Sequence, residues 1–188
     1  MKYTPLIIFF ILFVGLTTSE CKKHKTGNPV DQLPPETQIG ANTFGCLIDG
    51  NAFLPKGPSL SPILQCAYQY LNTDYSKGFF FQLSASHKFS TNDLSGIGIY
   101  TDSLPIIEGT FNLGDDHKGG AYGLYLRYNG AGNINLYSKA NLGGQLTITK
   151  FDEVTQIVSG RFWFNVVDST TVDTIHITNG RFDMQFTK

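Results

Sequence analysis

The sequence predicts an all-β fold, an antiparallel β-sandwich or barrel of about a dozen short strands. From Thr43 onward, apolar residues recur with a period of two between turn signals, and no window of about 11 residues shows the apolar stripe of a helix. With 15 Phe, 9 Tyr and 20 Gly, the chain has the composition of an aromatic core joined by many turns. The candidate strands are 43–48, 51–55, 66–71, 78–86, 94–101, 106–113, 121–128, 133–138, 144–151, 156–167, 171–178 and 181–187.

The strongest hairpin signal is the dipeptide Asn179-Gly180. A two-residue loop there places Thr178 opposite Arg181, with apolar side chains on one face of the hairpin and polar ones on the other. In this register His176 and Asp183 are cross-strand neighbours on the solvent face.

A second hairpin is predicted at Asn129-Gly130, where the alternation of the flanking strands requires the three-residue loop 129–131. This register pairs Leu126 with Ile134 on the inner face. The opposite, wet face then carries two rings, a guanidinium and an amide, a combination that suits a ligand such as a sugar. This candidate ligand platform consists of Tyr125, Arg127, Asn135 and Tyr137.

Three tripeptides in the chain are similar, with a glycine two residues before a phenylalanine. They are 109–111 (GTF), 160–162 (GRF) and 180–182 (GRF). Their spacing is not constant, which excludes a solenoid. A strand glycine close to a large aromatic residue is typical of a bulge or bend where a neighbouring ring covers exposed backbone.

Residues 1–20 are predicted to be a signal peptide, because Lys2 precedes the apolar run 6–16 and small polar residues follow it. The apolar run would span only about 16 Å as a helix, roughly half of a bilayer core. Cys21 stands where a bacterial lipoprotein carries its lipid, and three acyl chains anchor a protein stably. In the alternative interpretation, ordinary signal peptidase cuts after Ser19 and Cys21 is a free thiol.

The remainder of the chain is predicted to consist of a tether and one domain. Residues 21–40 form the lipidated cysteine and a flexible tether, since the segment is polar and rich in Pro and Gly. Residues 41–188 form a single all-β domain of ordinary size.

Five segments carry a resemblance to a known family: 33–38 (LPPETQ), 40–50 (GANTFGCLIDG), 146–152 (LTITKFD), 159–164 (SGRFWF) and 179–184 (NGRFDM). Together with the signal peptide and its cysteine, they resemble the uncharacterised lipoproteins of Bacteroidota. The resemblance implies an exported outer-membrane lipoprotein, on the periplasmic or the surface face, with an all-β domain of unknown function. It brings no catalytic residues.

The charge and the motifs exclude several classes of function. Charged residues make up 15% of the chain, with 14 Lys and Arg against 15 Asp and Glu, so no basic field exists to bind nucleic acid. The histidines lack the paired spacing of zinc ligands, and the acidic cluster 115–117 is typical of a solvated turn. Because no motif with a catalytic mechanism is found either, the sequence predicts no enzyme, no metal and no cofactor.

Two further kinds of site are expected. With Cys21 lipidated, Cys46 and Cys66 are the remaining thiols in an oxidising compartment, which predicts a disulfide; alternatively, both are small buried apolar side chains. Ser103, Ser169 and Thr174 each follow an aspartate. They look like the O-glycosylation acceptors of exported Bacteroidota proteins.

These observations together predict a lipid-anchored cell-envelope protein that acts as a non-catalytic binding module. Its partners would be the membrane, through the lipid, and a glycan or a small apolar molecule. The alternative is a structural or assembly subunit of an envelope complex that acts through protein contacts.

Overall fold

The computed structural model describes residues 27–58, 63–74, 76–114 and 116–188. Within these residues there are eleven strands and two short 3-10 helices, Pro29–Gln32 and Ala140–Leu142. The strands are β1 (Thr43–Ile48), β2 (Asn51–Phe53), β3 (Leu64–Asn72), β4 (Lys77–Ser90), β5 (Asp93–Thr101), β6 (Gly109–Asn112), β7 (Ala121–Tyr128), β8 (Asn133–Tyr137), β9 (Gly144–Asp152), β10 (Ile157–Val167) and β11 (Thr174–Gln185).

The strands form two antiparallel sheets that pack face to face as a sandwich. The six-stranded sheet has the order β2-β1-β11-β10-β9-β6, and the five-stranded sheet has the order β3-β4-β5-β7-β8. Alternate side chains of both sheets meet in one core, where the rings of Phe81 and Phe182 lie 6.5 Å apart across the sheets. Fully buried Phe164 and Ile99 belong to the same cluster. The predicted all-β class is thereby confirmed in its sandwich form.

The predicted hairpin at Asn179-Gly180 is wrong. β11 runs through this dipeptide without turning, and it pairs with β10 on one side and β1 on the other. Asn179 has a φ of 53°, and Thr178 and Asn179 together oppose the single residue Trp163, so the dipeptide forms a β-bulge. The positive φ that a tight turn needs is the same φ that a bulge needs, which is why the sequence signal was ambiguous.

The continuous course of β11 also separates His176 and Asp183, which the predicted hairpin makes neighbours. His176 lies opposite Asn165, and its Nδ1 is 2.8 Å from the Asn165 Oδ1. Asp183 lies opposite Ser159 and Thr43.

The loop between β7 and β8 has four residues, 129–132, because Tyr128 pairs with Asn133. The expected three-residue loop is wrong, and this one-residue slip reverses the faces of β7 but not those of β8: Leu136 lies in the core as predicted, but it pairs with Tyr125. Leu126 and Leu124 consequently lie on the outer face, opposite Gly96 and Gly98 of β5. Leu126 lies against Gly96, whereas the ring of Tyr100 covers Gly98, and both leucines are half-buried outside the core.

Residues 33–41, of which 33–40 are predicted to belong to the flexible tether, pack across the outer face of the six-stranded sheet. We call them the N-terminal strap. Leu33 is buried and lies with Pro34 over Gly45 of β1. At the far side of the sheet, the Lys150 Nζ donates to the Gln38 carbonyl at 2.9 Å. The strap is therefore part of the folded domain.

The strap is fastened by the carboxylate of Asp183, which is only 1% exposed. This carboxylate accepts hydrogen bonds from three strap amides and two hydroxyls, at 2.5 to 3.2 Å. Burial by itself would raise the pKa of the carboxyl, but the hydrogen bonds outweigh it and hold the pKa at about 2. The donors are the amides of Ile39, Gly40 and Ala41 and the hydroxyls of Thr37 and Ser159.

The predicted disulfide is absent, because Cys46 and Cys66 are both free and buried. Burial raises the pKa of each thiol far above its ordinary value. Cys46 belongs to the six-stranded sheet and Cys66 to the five-stranded sheet, and both are members of the core cluster. The alternative interpretation, that the two cysteines serve as small apolar core residues, agrees with this arrangement.

Candidate ligand-binding site

A cavity of about 470 Å³ lies on the outer face of the six-stranded sheet, beside the N-terminal strap. Its volume falls within the range of roughly 300–1,000 Å³ that small-molecule sites occupy. The cavity is lined by Glu36, Gln145, Thr147, Arg161, Phe162, Trp163, Thr178, Asn179, Gly180 and Arg181. Most of these side chains are polar, and they come from the strap and from the three central strands β9, β10 and β11.

Part of each Gly-Arg-Phe tripeptide lines the cavity, Arg161 and Phe162 from one and Gly180 and Arg181 from the other. The two tripeptides lie antiparallel and in register, so that Arg161 of β10 faces Arg181 of β11. Each phenylalanine turns inward over the glycine of the other strand: a Cβ at Gly180 would lie 2.6 Å from the Phe162 ring. The third tripeptide, 109–111, takes no part, because β6 pairs with β9 at the sheet edge.

The pairing of the tripeptides brings two guanidinium groups side by side on the outer face. Arg161 forms an ion pair with Glu36 of the strap, through Nε at 2.7 Å and Nη2 at 2.5 Å. Arg181 donates from Nη1 to the Pro34 carbonyl at 3.3 Å. The strap therefore supplies one wall of the cavity and contacts both arginines.

Trp163, the single tryptophan of the chain, supplies the flat apolar surface of the cavity. Its outward position on β10 leaves it 41% exposed, although both neighbours in the sequence are buried. It pairs with Gln145 of β9 on one side and faces the bulge at Asn179 on the other. A Cβ at Gly143 would lie 3.2 Å from the indole, so the ring rests close against this backbone.

The arrangement brings together groups that differ in charge and polarity. An exposed ring, two guanidiniums, one carboxylate and several neutral hydrogen-bonding groups converge on one space. Among the described residues, no group of three or more His, Cys, Asp and Glu side chains could hold a metal ion. Asp115 of the predicted solvated turn lies outside the described residues.

The predicted ligand platform is not formed, because its four residues do not share a face. Tyr125 is 9% exposed and belongs to the core cluster, whereas Tyr137 is 42% exposed on the outer face of the five-stranded sheet. The one-residue slip at the 129–132 loop is the physical reason. Arg127 and Asn135 are exposed but lie on opposite faces of neighbouring strands, since Arg127 pairs with Ile134.

Tyr137 instead joins two other tyrosines in an outer cluster. The rings of Tyr100 and Tyr122 are stacked 5.3 Å apart, and Tyr137 lies 6.0 Å from Tyr122. Burial, together with the nearby Asp116 carboxylate and the neighbouring tyrosines, raises the pKa of Tyr122 to about 12. The cluster is on the opposite side of the sandwich from the cavity.

The remaining predicted sites are spread over the molecule. Ser103 is half-buried and donates to the Asp102 carboxylate at 2.9 Å, Ser169 is exposed in a loop, and Thr174 is exposed at the start of β11. Their O-glycosylation stays a prediction. Cys21 and the signal peptide lie outside the described residues. No helix of the described part of the chain has the length and apolar character needed to cross a bilayer.

Sequence reasoning missed the cavity although two of its signals were visible. Trp163 stands between two phenylalanines in a strand of period two, which predicts that it faces outward where they face inward. The repeated Gly-Arg-Phe tripeptide is the second signal. The predicted hairpin at Asn179 pairs residues 181–187 with residues 171–178 and therefore hides the pairing of the second tripeptide with β10. The wall formed by Glu36 could not be found, because it depends on contacts more than 100 residues apart in the sequence.

The fold and the cavity define the protein as an all-β sandwich with a ligand-sized, arginine-containing site on the outer face of one sheet. Residues 91–184 match the family model of a domain of unknown function (DUF6252). Because the match covers half of the chain, the protein belongs to this family. Comparison with curated proteins and with solved structures finds no match. The matched segment includes both arginines and Trp163, whereas the strap with Glu36 lies ahead of it.

Proposed function

We propose that the protein is a non-catalytic glycan-binding module held in the bacterial cell envelope by a lipid on Cys21. The observation that supports the binding role most strongly is the exposed indole of Trp163 within a cavity of ligand size. A sugar presents an apolar face of C–H groups and a rim of hydroxyls. An aromatic ring stacks on such a face, while amide, hydroxyl and guanidinium groups take the hydroxyls.

The groups around Trp163 meet this requirement. Gln145 and Asn179 stand on either side of the indole, and Thr147 stands opposite Arg161 on β9. Each amide offers both donors and an acceptor, which suits hydroxyls that are themselves donors and acceptors. The rigid strands hold these groups in place, so that little conformational entropy would be lost on binding.

Trp163→Ala is expected to weaken glycan binding by about 30-fold, because a central aromatic anchor typically contributes about 2 kcal/mol or more. The measurement is affinity for immobilised bacterial and plant polysaccharides, first found by an array and then titrated. Trp163→Phe should retain most of the affinity, since it keeps an aromatic face.

The matched control for this substitution is Tyr137→Ala. Tyr137 has almost the same exposure, 42%, but lies on the other sheet. The Tyr137→Ala variant should bind glycans with the affinity of the unchanged protein. If Tyr137→Ala loses binding and Trp163→Ala does not, the site is the tyrosine cluster and the cavity has another role.

The lipid anchor is the second part of the proposal. The apolar run 6–16, the cysteine that follows it and the resemblance to Bacteroidota lipoproteins support it. Cys21→Ser is expected to release the protein from the membrane fraction of a bacterium that processes lipoproteins, because the acyl chains would be lost. Mass spectrometry of the unchanged protein should show a lipidated Cys21 as its first residue. A protein that begins at Glu20 and is recovered in the soluble fraction contradicts the anchor.

The alternative function, an assembly subunit of an envelope complex, is favoured by one feature, the tyrosine cluster with half-buried Leu124 and Leu126 beside it. Partly exposed tyrosine rings next to apolar side chains are typical of protein interfaces. If no polysaccharide binds in the array, this alternative becomes the better account of the protein.

A further inference from the structure

The charged lining of the cavity is unbalanced. Arg161 and Arg181 lie directly opposite each other on neighbouring strands. Because both are positively charged, this pair destabilises the sheet. The cavity contains one carboxylate, that of Glu36, and both of its short contacts are with Arg161. Among the described lining residues, one positive charge is therefore left without a counter-ion.

The uncompensated charge is that of Arg181. Its only hydrogen bond in the described part of the chain is the contact from Nη1 to the Pro34 carbonyl, at 3.3 Å. Its Nε is buried and has no hydrogen-bond partner there. A buried N–H without an acceptor is unfavourable, so an anion that accepted from this guanidinium would relieve the cost. Since Nε is buried, such binding would involve a rotation of the side chain toward the cavity.

From this geometry we propose that the cavity selects an acidic saccharide, whose carboxylate is held by Arg181 while Trp163 stacks against a sugar ring. The proposal rests on the proposed glycan-binding function and specifies its ligand. A guanidinium can hold a carboxylate through two parallel hydrogen bonds, which gives direction as well as charge attraction.

The neutral part of the lining argues for a saccharide rather than a simple anion. A small inorganic anion would occupy the guanidiniums but would leave the indole, Gln145 and Asn179 unused. A uronic acid uses all of them, because its ring carries hydroxyls, an apolar face and one carboxylate.

Glu36 would compete with such a ligand. Its carboxylate already occupies Arg161 and lies in the wall of the same cavity, where it repels a second carboxylate. Glu36→Gln is therefore expected to raise the affinity for an acidic saccharide about three- to tenfold relative to the affinity for its neutral counterpart. A residue with only a structural role would not produce this gain.

The experiment compares polygalacturonate, alginate and hyaluronan, each beside its carboxyl-reduced neutral form, by titration with the purified full chain. The unchanged protein should bind at least one acidic form about tenfold or more tightly than its reduced counterpart. Arg181→Gln should abolish this preference. Arg181→Lys should keep part of it, because the positive charge remains but the two parallel hydrogen bonds of the guanidinium are lost. Circular dichroism checks that each variant is folded. If Glu36→Gln does not fold, Glu36→Ala, which also removes the carboxylate, takes its place.

The outcomes separate the two proposals. If Trp163-dependent binding is equal for acidic and reduced forms, or if Arg181→Gln leaves the preference intact, the acidic ligand is wrong and the glycan module stands. If acidic forms bind but Glu36→Gln gives no gain, the assignment of the carboxylate to this cavity is wrong. If no saccharide of either kind binds, the glycan-binding function itself is overturned.

Discussion

Asp183→Asn is expected to lower the free energy of unfolding at neutral pH by about 3 kcal/mol, because several buried donors lose their acceptor. The Asp183 carboxylate accepts five hydrogen bonds on its two oxygens, three of them from strap amides. An asparagine keeps one oxygen and turns a donor toward the remaining N–H and O–H groups. The loss is measured by urea denaturation followed by circular dichroism.

The effect of Asp183 should depend on pH in a defined window. The carboxyl has a pKa of about 2 in the folded protein, below the ordinary value of 3.8, so the folded state favours the charged form. The difference between the two pKa values corresponds to about 2 kcal/mol of folding stability. This contribution is complete above about pH 5 and is lost as the pH falls through 4 toward 2. The difference in stability between the unchanged protein and Asp183→Asn should shrink over this range.

The matched control for Asp183→Asn is Asp74→Asn, which changes an exposed carboxylate in the same way. It should alter the stability by less than about 0.5 kcal/mol. If Asp183→Asn is equally mild at neutral pH, the strap is not held by this carboxylate.

Gly160→Ala is the second substitution with a large expected effect, a loss of about 3 kcal/mol or more. A Cβ at Gly160 would overlap the Thr147 carbonyl oxygen of β9, and it would also lie 2.8 Å from the Phe182 ring. Because the first obstacle is backbone, β9 and β10 would have to separate. At Gly180 the nearest atoms to an added Cβ belong to the ring of Phe162, so Gly180→Ala should cost less, about 2 kcal/mol.

The contrast between the two glycines can be tested by double-mutant cycles. Phe162→Leu should relieve part of the strain of Gly180→Ala, with a coupling energy of about 1 kcal/mol. Phe182→Leu should relieve little of the strain of Gly160→Ala, since the Thr147 carbonyl remains. Equal relief in both cycles would show that rings alone limit these positions. Thermal unfolding of the four single and two double variants provides the data.

The sequence predicted the sandwich well because alternation with a period of two records which side of a strand is buried. β7, β8 and β10 appear within a residue or two of their predicted bounds. Register was harder, since the sequence around Asn179 fits a turn and a bulge equally. The loop predicted at 129–131 is wrong for a related reason, because Leu124 and Leu126 have the alternation of core residues but face outward.

The candidate site was mostly beyond the reach of sequence reasoning. The outward position of Trp163 follows from alternation, but its partners come from two other strands and from the strap. Whether Arg161 meets Arg181 is decided by the pairing of β10 with β11, and that pairing depends on the bulge. Similarly, a buried aspartate with five donors looks in the sequence like any surface acid, because three of its donors are backbone amides that carry no sequence signal.

The course of the strap has a mechanical consequence. A pull on the chain ahead of Gly27 would reach the domain first through the helix Pro29–Gln32 and buried Leu33, which contact β1 and β2, then through Glu36, and only afterwards through the amides on Asp183. The exposed ion pair between Glu36 and Arg161 would break before the buried hydrogen bonds to Asp183, so that tension would move one wall away from the cavity while the sandwich stays folded. If Glu36 repels an acidic ligand, a stretched protein would bind that ligand more tightly than a relaxed one.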